Sequence, residues 1–197
     1  GRIIKRDVEA AASQPLVSRP PSPVPAAGTD AADYQDVPLT QIRKTIARRL
    51  AESIGPIPTF YLTAELDMER VAEMRSAMAE LGDGFKVSFN DIIIKAVASA
   101  LAQHPECNAH WQGDSIRQWH RVHIGMAVAI DDGLITPVIF DADRKGLRQI
   151  AAESRDLAKR ARERKLTPNE YTGSTFSISN LGMFGVERFN AIVNPPQ

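Results

Sequence analysis

The chain has 197 residues, in which 24 lysines and arginines balance 24 aspartates and glutamates, and it contains a single cysteine. This length suits one full domain with attachments, because single domains hold about 100–200 residues. A net charge of zero argues against a nucleic-acid binder, which normally carries a basic excess. The lone cysteine excludes a disulfide framework and a cysteine-rich zinc site, and no apolar run reaches the roughly 18 residues that a membrane span needs. We therefore expect a soluble, intracellular globular protein with no nucleic-acid or membrane partner.

The first 36 residues divide into a short helix start and a proline-rich stretch. Residues 1–12 read GRIIKRDVEAAA, in which Asp7 is placed as an N-cap. Residues 13–36 contain five of the thirteen prolines and few large apolar residues, so they cannot bury enough surface to offset their ordering entropy. We predict a semi-rigid tether over 13–36. Residues 1–12 are either a simple helix stub or the last turn of a small domain.

Beyond residue 36, capping residues and apolar periodicity predict a continuous series of helices and strands. Four longer helices are predicted to begin near Thr40, Asp67, Asn90 and Leu147. Capping boxes are predicted at Ser88 with Asp91 and at Thr167 with Glu170. Strands are predicted over residues 59–66, 121–130, 134–140 and 175–179. Because helices and strands are mixed without strict βαβ alternation, we expect an α/β sandwich of helices packed on a mixed sheet.

Common catalytic and metal-binding motifs are missing from the sequence. The four histidines lack HExxH spacing and Cys107 has no CxxC partner, so we predict no metal site. Gly182 and Gly185 form GxxG and not a phosphate-binding GxGxxG, which favours a tight backbone turn. A serine hydrolase would need a GxSxG elbow, and the chain has none.

Three hydroxyl side chains alternate along the last predicted strand. Thr175, Ser177 and Ser179 share one face, whereas Phe176 and Ile178 take the other. Alternation by itself favours a solvent-exposed polar face and assigns no chemistry to these hydroxyls.

The first predicted helix carries a basic run. It comprises Arg43, Lys44, Arg48 and Arg49. This run is either a solvated helix face or an anion site for a phosphorylated ligand. Charge runs are usually solvated, so the first interpretation is favoured on the residues alone.

Six motifs follow one another in an order that is typical of a known family. They are VPLTQIRKTIARRL at residues 37–50, PTFYLT at 58–63, FND at 89–91, NA at 108–109, DGLITPV at 132–138 and TFSISNLG at 175–182. In this order they resemble the catalytic domain of the 2-oxoacid dehydrogenase acyltransferases, the E2 components. The final stretch, SISNLGMFGVERFNAIVNPPQ, is most similar to the acetyl-transferring branch of that family, which belongs to pyruvate dehydrogenase complexes.

The resemblance implies a domain organisation and an assembly. Residues 1–12 would be the end of a peripheral subunit-binding domain, 13–36 a linker, and 37–197 an acyltransferase domain that lacks its last strands. The implied fold is chloramphenicol-acetyltransferase-like, and homotrimers would build a large hollow core. E1 and E3 subunits would bind through the subunit-binding domain, and a lipoyl group would sit on an upstream domain. The implied compartment is the bacterial cytoplasm or, as the alternative, the mitochondrial matrix.

The resemblance also implies the chemistry, which is acetyl transfer between a dihydrolipoyl thioester and coenzyme A. By motif position, Ser179 would donate a hydrogen bond to the tetrahedral oxyanion while a histidine deprotonates the incoming thiol. In the family that histidine lies in a DHRxxDG motif, which this sequence does not contain; His120 and Arg121 do not match it. We therefore predict that these 197 residues alone do not transfer acetyl groups.

Two further expectations concern single residues. Arg43 and Lys44 are candidates for contacts to the phosphates of coenzyme A, although helix or subunit packing is the favoured use of these side chains. Cys107 stands where the family has an aliphatic residue, so we expect a small buried side chain and not a nucleophile.

Two alternatives to the acetyltransferase interpretation stay open. One is a branched-chain 2-oxoacid dehydrogenase acyltransferase, which acyl-CoA competition would separate from an acetyltransferase. The other is a non-catalytic core or subunit-binding homologue, which uses the fold only for assembly.

Overall fold

The computed structural model describes Lys5 and residues 36–55, 59–131 and 133–193. The chain divides into two compact units, Gly1–Pro38 and Leu39–Gln197. In the first unit the description covers Lys5, which is helical and exposed, and residues 36–38, which are exposed. The predicted end of a subunit-binding domain over 1–12 and the predicted linker over 13–36 otherwise lie outside the described residues.

Four α-helices form in the described part of the second unit, where capping residues and periodicity predicted them. They are α1 (Gln41–Ile54), α2 (Glu69–Glu80), α3 (Phe89–Gln103) and α4 (Leu147–Arg162). Thr40 caps α1, because its Oγ1 accepts a hydrogen bond from the Arg43 amide at 3.3 Å. Before α2, the Asp67 carboxylate accepts one from the Glu69 amide at 2.9 Å. None of the described helices has the length and apolar character needed to cross a membrane.

The capping box that opens α3 also connects this helix to α4. Ser88 Oγ accepts a hydrogen bond from the Asp91 amide at 3.1 Å, and the Asp91 carboxylate accepts one from the Ser88 amide at 2.7 Å. The other carboxylate oxygen of Asp91 accepts a hydrogen bond from Ser154 Oγ in α4. Asp91 and Ser154 are both buried, so this satisfied polar network fixes the first turn of α3 against α4.

Short 3₁₀ turns connect the longer elements. They are Asp83–Phe85, Pro105–Cys107, Ala142–Arg144, Pro168–Glu170 and Gly182–Phe184. The fourth carries the predicted capping box of Thr167 and Glu170, which is confirmed.

Seven short strands form three small sheets in the described residues. They are β1 (Ala109–Trp111), β2 (Ile116–Gln118), β3 (Ile124–Met126), β4 (Val128–Ile130), β5 (Gly133–Ile135), β6 (Val138–Ile139) and β7 (Phe176–Ile178). β1 pairs with β2, and β4 with β5, in antiparallel fashion. In the third sheet β3 is central, antiparallel to β6 and parallel to β7. The predicted class, helices packed on a mixed sheet, is confirmed.

Two of the predicted strands are interrupted and one is not formed. The strand predicted over 121–130 breaks at Ala127, whose amide donates to the Ile178 carbonyl at 2.9 Å and so connects to β7. The strand predicted over 134–140 breaks before β6 at Pro137, which has no amide proton to donate. Residues 59–66 are exposed and form no strand, because they pair with no other strand of the described chain.

The hydrophobic core lies between α3, α4 and the sheet around β3. Ile94 of α3, Ile124 of β3 and Ile150 of α4 are completely buried. The apolar stripe predicted for α4 is confirmed, since Ile150 and Leu157 face this core while basic and acidic residues cover the outer side. The core therefore holds β3 in place, and with it the parallel neighbour β7.

Candidate functional site

A cavity of about 1390 Å³ opens beside β7. Its walls come from the four helices α1 to α4, from the strands β1, β3, β4, β5 and β7, and from residues that follow β7. The walls are largely apolar and include Ile46, Leu50, Val128, Leu134, Ile178 and Phe184. A concave, largely apolar lining is typical of a small-molecule or cofactor site, and this cavity is larger than the roughly 300–1,000 Å³ of most such sites.

Ser179 lines this cavity immediately after β7, and the three hydroxyls in and beside β7 have different environments. Thr175, which precedes β7, is buried, and its Oγ1 accepts a hydrogen bond at 3.0 Å from the amide of His123, which precedes β3. Ser177 is half-buried, and its Oγ is a buried atom with no hydrogen-bond partner in the described structure. Ser179 is exposed. The solvated polar face expected from alternation is thus wrong for Thr175 and for the hydroxyl of Ser177, and it holds for Ser179.

Gly125 of β3 sets how closely β7 approaches, because it stands opposite Ser177 in the parallel register. A Cβ added at Gly125 would lie 2.8 Å from Thr136 Cγ2, 3.0 Å from Ser177 Oγ and 3.1 Å from Ser174 Cβ. Distances this short require neighbouring atoms to move. The absence of a side chain at Gly125 therefore allows the close packing that positions the strand leading to Ser179.

We expect Gly125→Ala to lower the free energy of unfolding by about 1–3 kcal/mol, the usual cost of overpacking. Urea unfolding followed by circular dichroism measures this change. Gly55→Ala is the matched control, because Gly55 has a negative φ of −96° and no atom within 4 Å of an added Cβ. Equal stability of the Gly125→Ala and Gly55→Ala variants would show that the β3–β7 contact tolerates a side chain.

The chain turns sharply after Ser179. The Asn180 side-chain oxygen accepts a hydrogen bond from the Gly182 amide at 2.9 Å, and Gly185 ends the following 3₁₀ turn with a positive φ of 72°. The tight turn predicted for these two glycines is confirmed. Met183 and Phe184 of this turn are exposed and also line the cavity. Ser179 is therefore placed between a strand anchored in the core and a glycine-delimited turn.

None of the four histidines lines the cavity that Ser179 lines. His104 contacts Glu106 at 3.3 Å on the surface, and His120 is exposed. His123 is half-buried, and its Nδ1 accepts a hydrogen bond from the Asp141 amide at 3.0 Å. Residues 104–123 therefore place no imidazole on the wall beside Ser179.

His110 is the most buried of the four, with 3% of its surface exposed. Its ring packs edge-on against Trp119, with 5.2 Å between the ring centroids. Burial lowers the pKa of His110 below its ordinary value; a backbone hydrogen bond to Thr175 opposes this shift, and the positive charge of Arg117 adds to it. The neutral imidazole is therefore the form that the folded chain favours.

This shift predicts a loss of stability in acid. Below about pH 6.5 the unfolded chain protonates His110 more readily than the folded chain, so the free energy of unfolding falls as the pH drops toward the lowered pKa. We expect His110→Gln to remove this part of the pH dependence and the surface variant His104→Gln to keep it. Thermal unfolding measured across this pH range distinguishes the two. Identical pH profiles for wild type and His110→Gln would contradict the prediction.

The basic residues at the cavity are mostly not the ones that the sequence singled out. Arg43 and Lys44 are exposed on α1 and do not line it. The basic residues that do line it are Arg49, Arg75, Lys86, Arg155 and Arg162. Of these, only Arg49 belongs to the predicted basic run. The others come from α2, α4 and residue 86, so no single local pattern could reveal them as a group.

Cys107 is exposed and lines the cavity, so the expectation of a small buried side chain is wrong. It ends the 3₁₀ turn that follows α3, and this turn lies at the surface. Among the described residues, no group of three or more histidine, cysteine, aspartate or glutamate side chains is arranged to hold a metal ion.

With this geometry in place, comparison with known proteins identifies the class of domain. The chain matches the family model of the 2-oxoacid dehydrogenases acyltransferase (catalytic domain) over residues 31–197. The chain therefore belongs to the family of 2-oxoacid dehydrogenase acyltransferases. The family resemblance predicted from the six motifs is confirmed.

Several similar proteins are acetyltransferase components of pyruvate dehydrogenase complexes. The chain is 49% identical over 209 residues to the dihydrolipoyllysine-residue acetyltransferase component of the mitochondrial pyruvate dehydrogenase complex of Schizosaccharomyces pombe. It is 45% identical over 206 residues to the corresponding component of Rickettsia bellii. Both alignments include the whole chain but only 43% and 47% of the relatives, so the chain spans less than half of their length. The Mus musculus pyruvate dehydrogenase protein X component is 45% identical in an alignment that includes 94% of this chain and 36% of that component.

Solved structures agree in fold. A probable dihydrolipoamide acetyltransferase from Listeria monocytogenes has a TM-score of 0.78 at 34% identity, over 85% of this chain and 73% of its own. Azotobacter vinelandii dihydrolipoamide acetyltransferase has a TM-score of 0.79 at 31% identity, over 91% and 75%. The latter structure comes from crystallographic and enzymatic work on a serine, a histidine and an asparagine in its catalytic mechanism. The cubic core of a pyruvate dehydrogenase multienzyme complex matches similarly, with a TM-score of 0.78 at 32% identity, over 91% and 75%.

Proposed function

We propose that this protein transfers acetyl groups between a dihydrolipoyl thioester and coenzyme A, as a component of a pyruvate dehydrogenase complex. The observation that carries the proposal is the position of Ser179. Its hydroxyl lies at the wall of the large cavity, directly after a strand that the core holds in place. The named acetyltransferase relatives support the choice of acyl group.

In the proposed reaction a base removes the proton from the coenzyme A thiol, because the thiolate is the competent nucleophile. The sulfur then attacks the acetyl carbonyl carbon, and the carbonyl electron pair moves onto oxygen. Ser179 donates a hydrogen bond to this oxyanion, where negative charge develops. Collapse of the tetrahedral intermediate breaks the bond to the dihydrolipoyl sulfur, which leaves as a thiolate and recovers the proton.

In this scheme the base is a histidine other than the four in this 197-residue chain. Two observations support this inference. The DHRxxDG motif expected from the resemblance does not occur in the sequence. The four histidines that do occur lie away from the cavity walls. An assembled trimer, in which another subunit borders the cavity, is the arrangement that the resemblance implies for supplying such a group.

The wider assignments follow from the same family membership and are proposals of the same kind. A lipoyl group would be presented by another domain, E1 and E3 subunits would bind through a subunit-binding domain, and trimers would build a multimeric core. Arg43 and Lys44 are one candidate contact for the coenzyme A phosphates. The protein would act in the bacterial cytoplasm or the mitochondrial matrix, since its named relatives include a mitochondrial component and one from Rickettsia.

Acyl competition in the full-length protein tests the proposed substrate. With acetyl-CoA and dihydrolipoamide as substrates, we expect acetyl-dihydrolipoamide to form. We expect isobutyryl-CoA to inhibit this reaction only weakly. Preferred transfer of the isobutyryl group would assign the protein to the branched-chain acyltransferases instead. If the full-length protein transfers neither group, it is a non-catalytic homologue that contributes only to the core.

A further inference from the structure

Residues 107–110, which lead into and begin β1, form part of the cavity wall through one of their faces, and we call them the wall segment. Cys107 and Ala109 line the cavity. Asn108 and His110 do not line it, and both are buried. Because successive side chains of a strand point to opposite faces, the His110 imidazole lies behind the wall that its neighbour Ala109 forms.

The β1–β2 hairpin holds the His110 ring in its buried position. His110 stands opposite Arg117 in the antiparallel register, and the ring packs edge-on against Trp119. The Trp119 amide donates to the Asn108 carbonyl at 2.8 Å. In return, Asn108 Nδ2 donates to the carbonyls of Trp119 and Arg121, each at 3.0 Å. These bonds fix the backbone on both sides of the imidazole, so the hairpin determines where the ring lies.

The imidazole connects this hairpin to the chain that leads to Ser179, through a hydrogen bond to the backbone of Thr175. The Thr175 amide already donates to the His123 carbonyl at 2.8 Å, and its Oγ1 accepts from the His123 amide at 3.0 Å. The backbone group of Thr175 that remains for the imidazole is the carbonyl, which accepts from a ring N–H.

This contact is made just before an edge strand. The order of the sheet is β6-β3-β7, so β3 pairs with one side of β7 and no strand of the described chain pairs with the other. Thr175 is therefore held on the β3 side by His123 and on another side by His110. Ser179 follows four residues later, directly after β7, so a shift of the chain at Thr175 would change the position from which Ser179 faces the cavity.

We propose that His110 is a positioning residue for acetyl transfer, because its imidazole joins the wall segment to Thr175 and so fixes the strand of Ser179 relative to that wall. The proposal rests on the proposed function, in which Ser179 must stand within hydrogen-bond reach of the oxyanion. A small displacement of such a donor weakens its effect on the transition state. His110 itself lies outside the cavity lining and touches no reacting atom.

The charge of the imidazole affects the same contact. Of the described groups that face the ring, Arg117 of β2 is charged, whereas Trp119 of the hairpin and Thr175 before β7 are not. A protonated ring would therefore be buried beside a positive guanidinium, which disfavours the charged form. Protonation thus favours arrangements in which the ring leaves this position, and these lack the bond to Thr175.

Two substitutions at residue 110 of the full-length protein separate the hydrogen bond from the bulk of the side chain. His110→Leu keeps an apolar side chain of similar size without an N–H donor, whereas His110→Gln keeps a donor that does not titrate. Near neutral pH we expect His110→Leu to lower kcat about three- to tenfold, the usual effect of one hydrogen bond. We expect His110→Gln to restore kcat to within about twofold of wild type, and the KM for coenzyme A to change little in either variant.

The pH dependence of kcat is a readout that a purely structural role would not move. We expect the ratio of kcat in His110→Gln to kcat in wild type to rise as the pH falls from about 7 to about 5.5, because only wild type can protonate a buried imidazole at this position. The matched control is His104→Gln, the same change at an exposed histidine, whose ratio should stay constant. The catalytic base titrates in all three proteins and cancels in these ratios. A constant ratio for His110→Gln, or an equal rise for His104→Gln, overturns the proposal.

Amide hydrogen exchange of the full-length protein tests the contact without any acyl transfer. We expect the amides of residues 175–179 to exchange at least about threefold faster in His110→Leu than in wild type or His110→Gln, because the bond to Thr175 restrains local opening. If His110→Leu shows no cooperative unfolding, the pH ratio of His110→Gln decides.

The two measurements distinguish failure of the proposal from failure of the proposed function. A full-length protein that shows this change in exchange but transfers no acetyl group would contradict the proposed function and support the contact between His110 and the strand of Ser179. A protein that transfers acetyl groups, and in which His110→Leu changes neither kcat nor exchange, would overturn the positioning role and leave the proposed function supported.

Discussion

In the full-length protein, Ser179→Ala is expected to lower kcat for acetyl transfer by about 10²–10³-fold, the usual effect of removing one oxyanion donor. The KM for coenzyme A should change little, because the hydroxyl acts on charge that develops only in the transition state. Ser179 is exposed at the cavity wall, so its loss leaves the core intact. Steady-state kinetics with acetyl-CoA and dihydrolipoamide measure both constants.

Ser177→Ala is the matched control for this prediction. This change removes an equivalent hydroxyl two residues earlier in the chain, within β7. The Ser177 oxygen is buried and has no hydrogen-bond partner in the described structure. We expect kcat to change less than about threefold, since no bond made in the transition state is lost. A large loss in Ser177→Ala together with near-normal activity in Ser179→Ala would move the oxyanion contact to Ser177.

The second large effect concerns the 197 residues by themselves. We expect no detectable acetyl transfer from this chain, in contrast to the activity that we propose for the full-length protein. A positioned general base contributes roughly 10²–10⁴-fold, and none of the four histidines of the chain lines the cavity. The assay is coenzyme A-dependent formation of acetyl-dihydrolipoamide at high protein concentration.

An inactive sample is informative only if it is folded. Circular dichroism and a cooperative urea transition establish this for the isolated chain before the assay. A folded chain that transfers acetyl groups would show that one of its own side chains serves as the base. The positions of His110 and His123 would then require a rearrangement of the structure described above.

The parts of the fold that the sequence predicts correctly are local. Thr40 caps α1, and the box of Ser88 and Asp91 opens α3, because each requires only side chains and amides within three residues. The stripe of α4 is equally local, since helical periodicity alone places Ile150 and Leu157 on one face. Interactions of this range leave a clear pattern in the sequence.

The incorrect strand predictions concern residues whose state depends on distant partners. Phe60 and Leu62 belong to a β-rich stretch, yet they are 80% and 87% exposed and pair with no strand of the described chain. A strand needs a neighbour to satisfy its backbone groups, and propensity does not supply one. The strand predicted over 121–130 likewise divides at Ala127, because β3 pairs with β6 and β7 whereas β4 pairs with β5.

The candidate site likewise combines features that are local in sequence with contacts between distant residues. Ser179 comes from a motif, but alternation treats it as equivalent to Ser177 and Thr175. What separates the three is contact with β3, through His123 and Gly125, and such contacts are visible only in the folded chain. The basic residues that line the cavity could not be predicted as a group for the same reason, because α2, α4 and residue 86 contribute to them separately.

The role of Ser179 is tested most directly by a crystal structure of the full-length protein with coenzyme A and dihydrolipoamide. We predict that Ser179 Oγ lies within hydrogen-bond reach, about 2.6–3.2 Å, of the position where the acetyl oxygen sits beside the reacting sulfur. We also predict a histidine from outside these 197 residues on the other side of that sulfur. A reacting sulfur located away from the cavity that Ser179 lines would contradict the proposed role of Ser179.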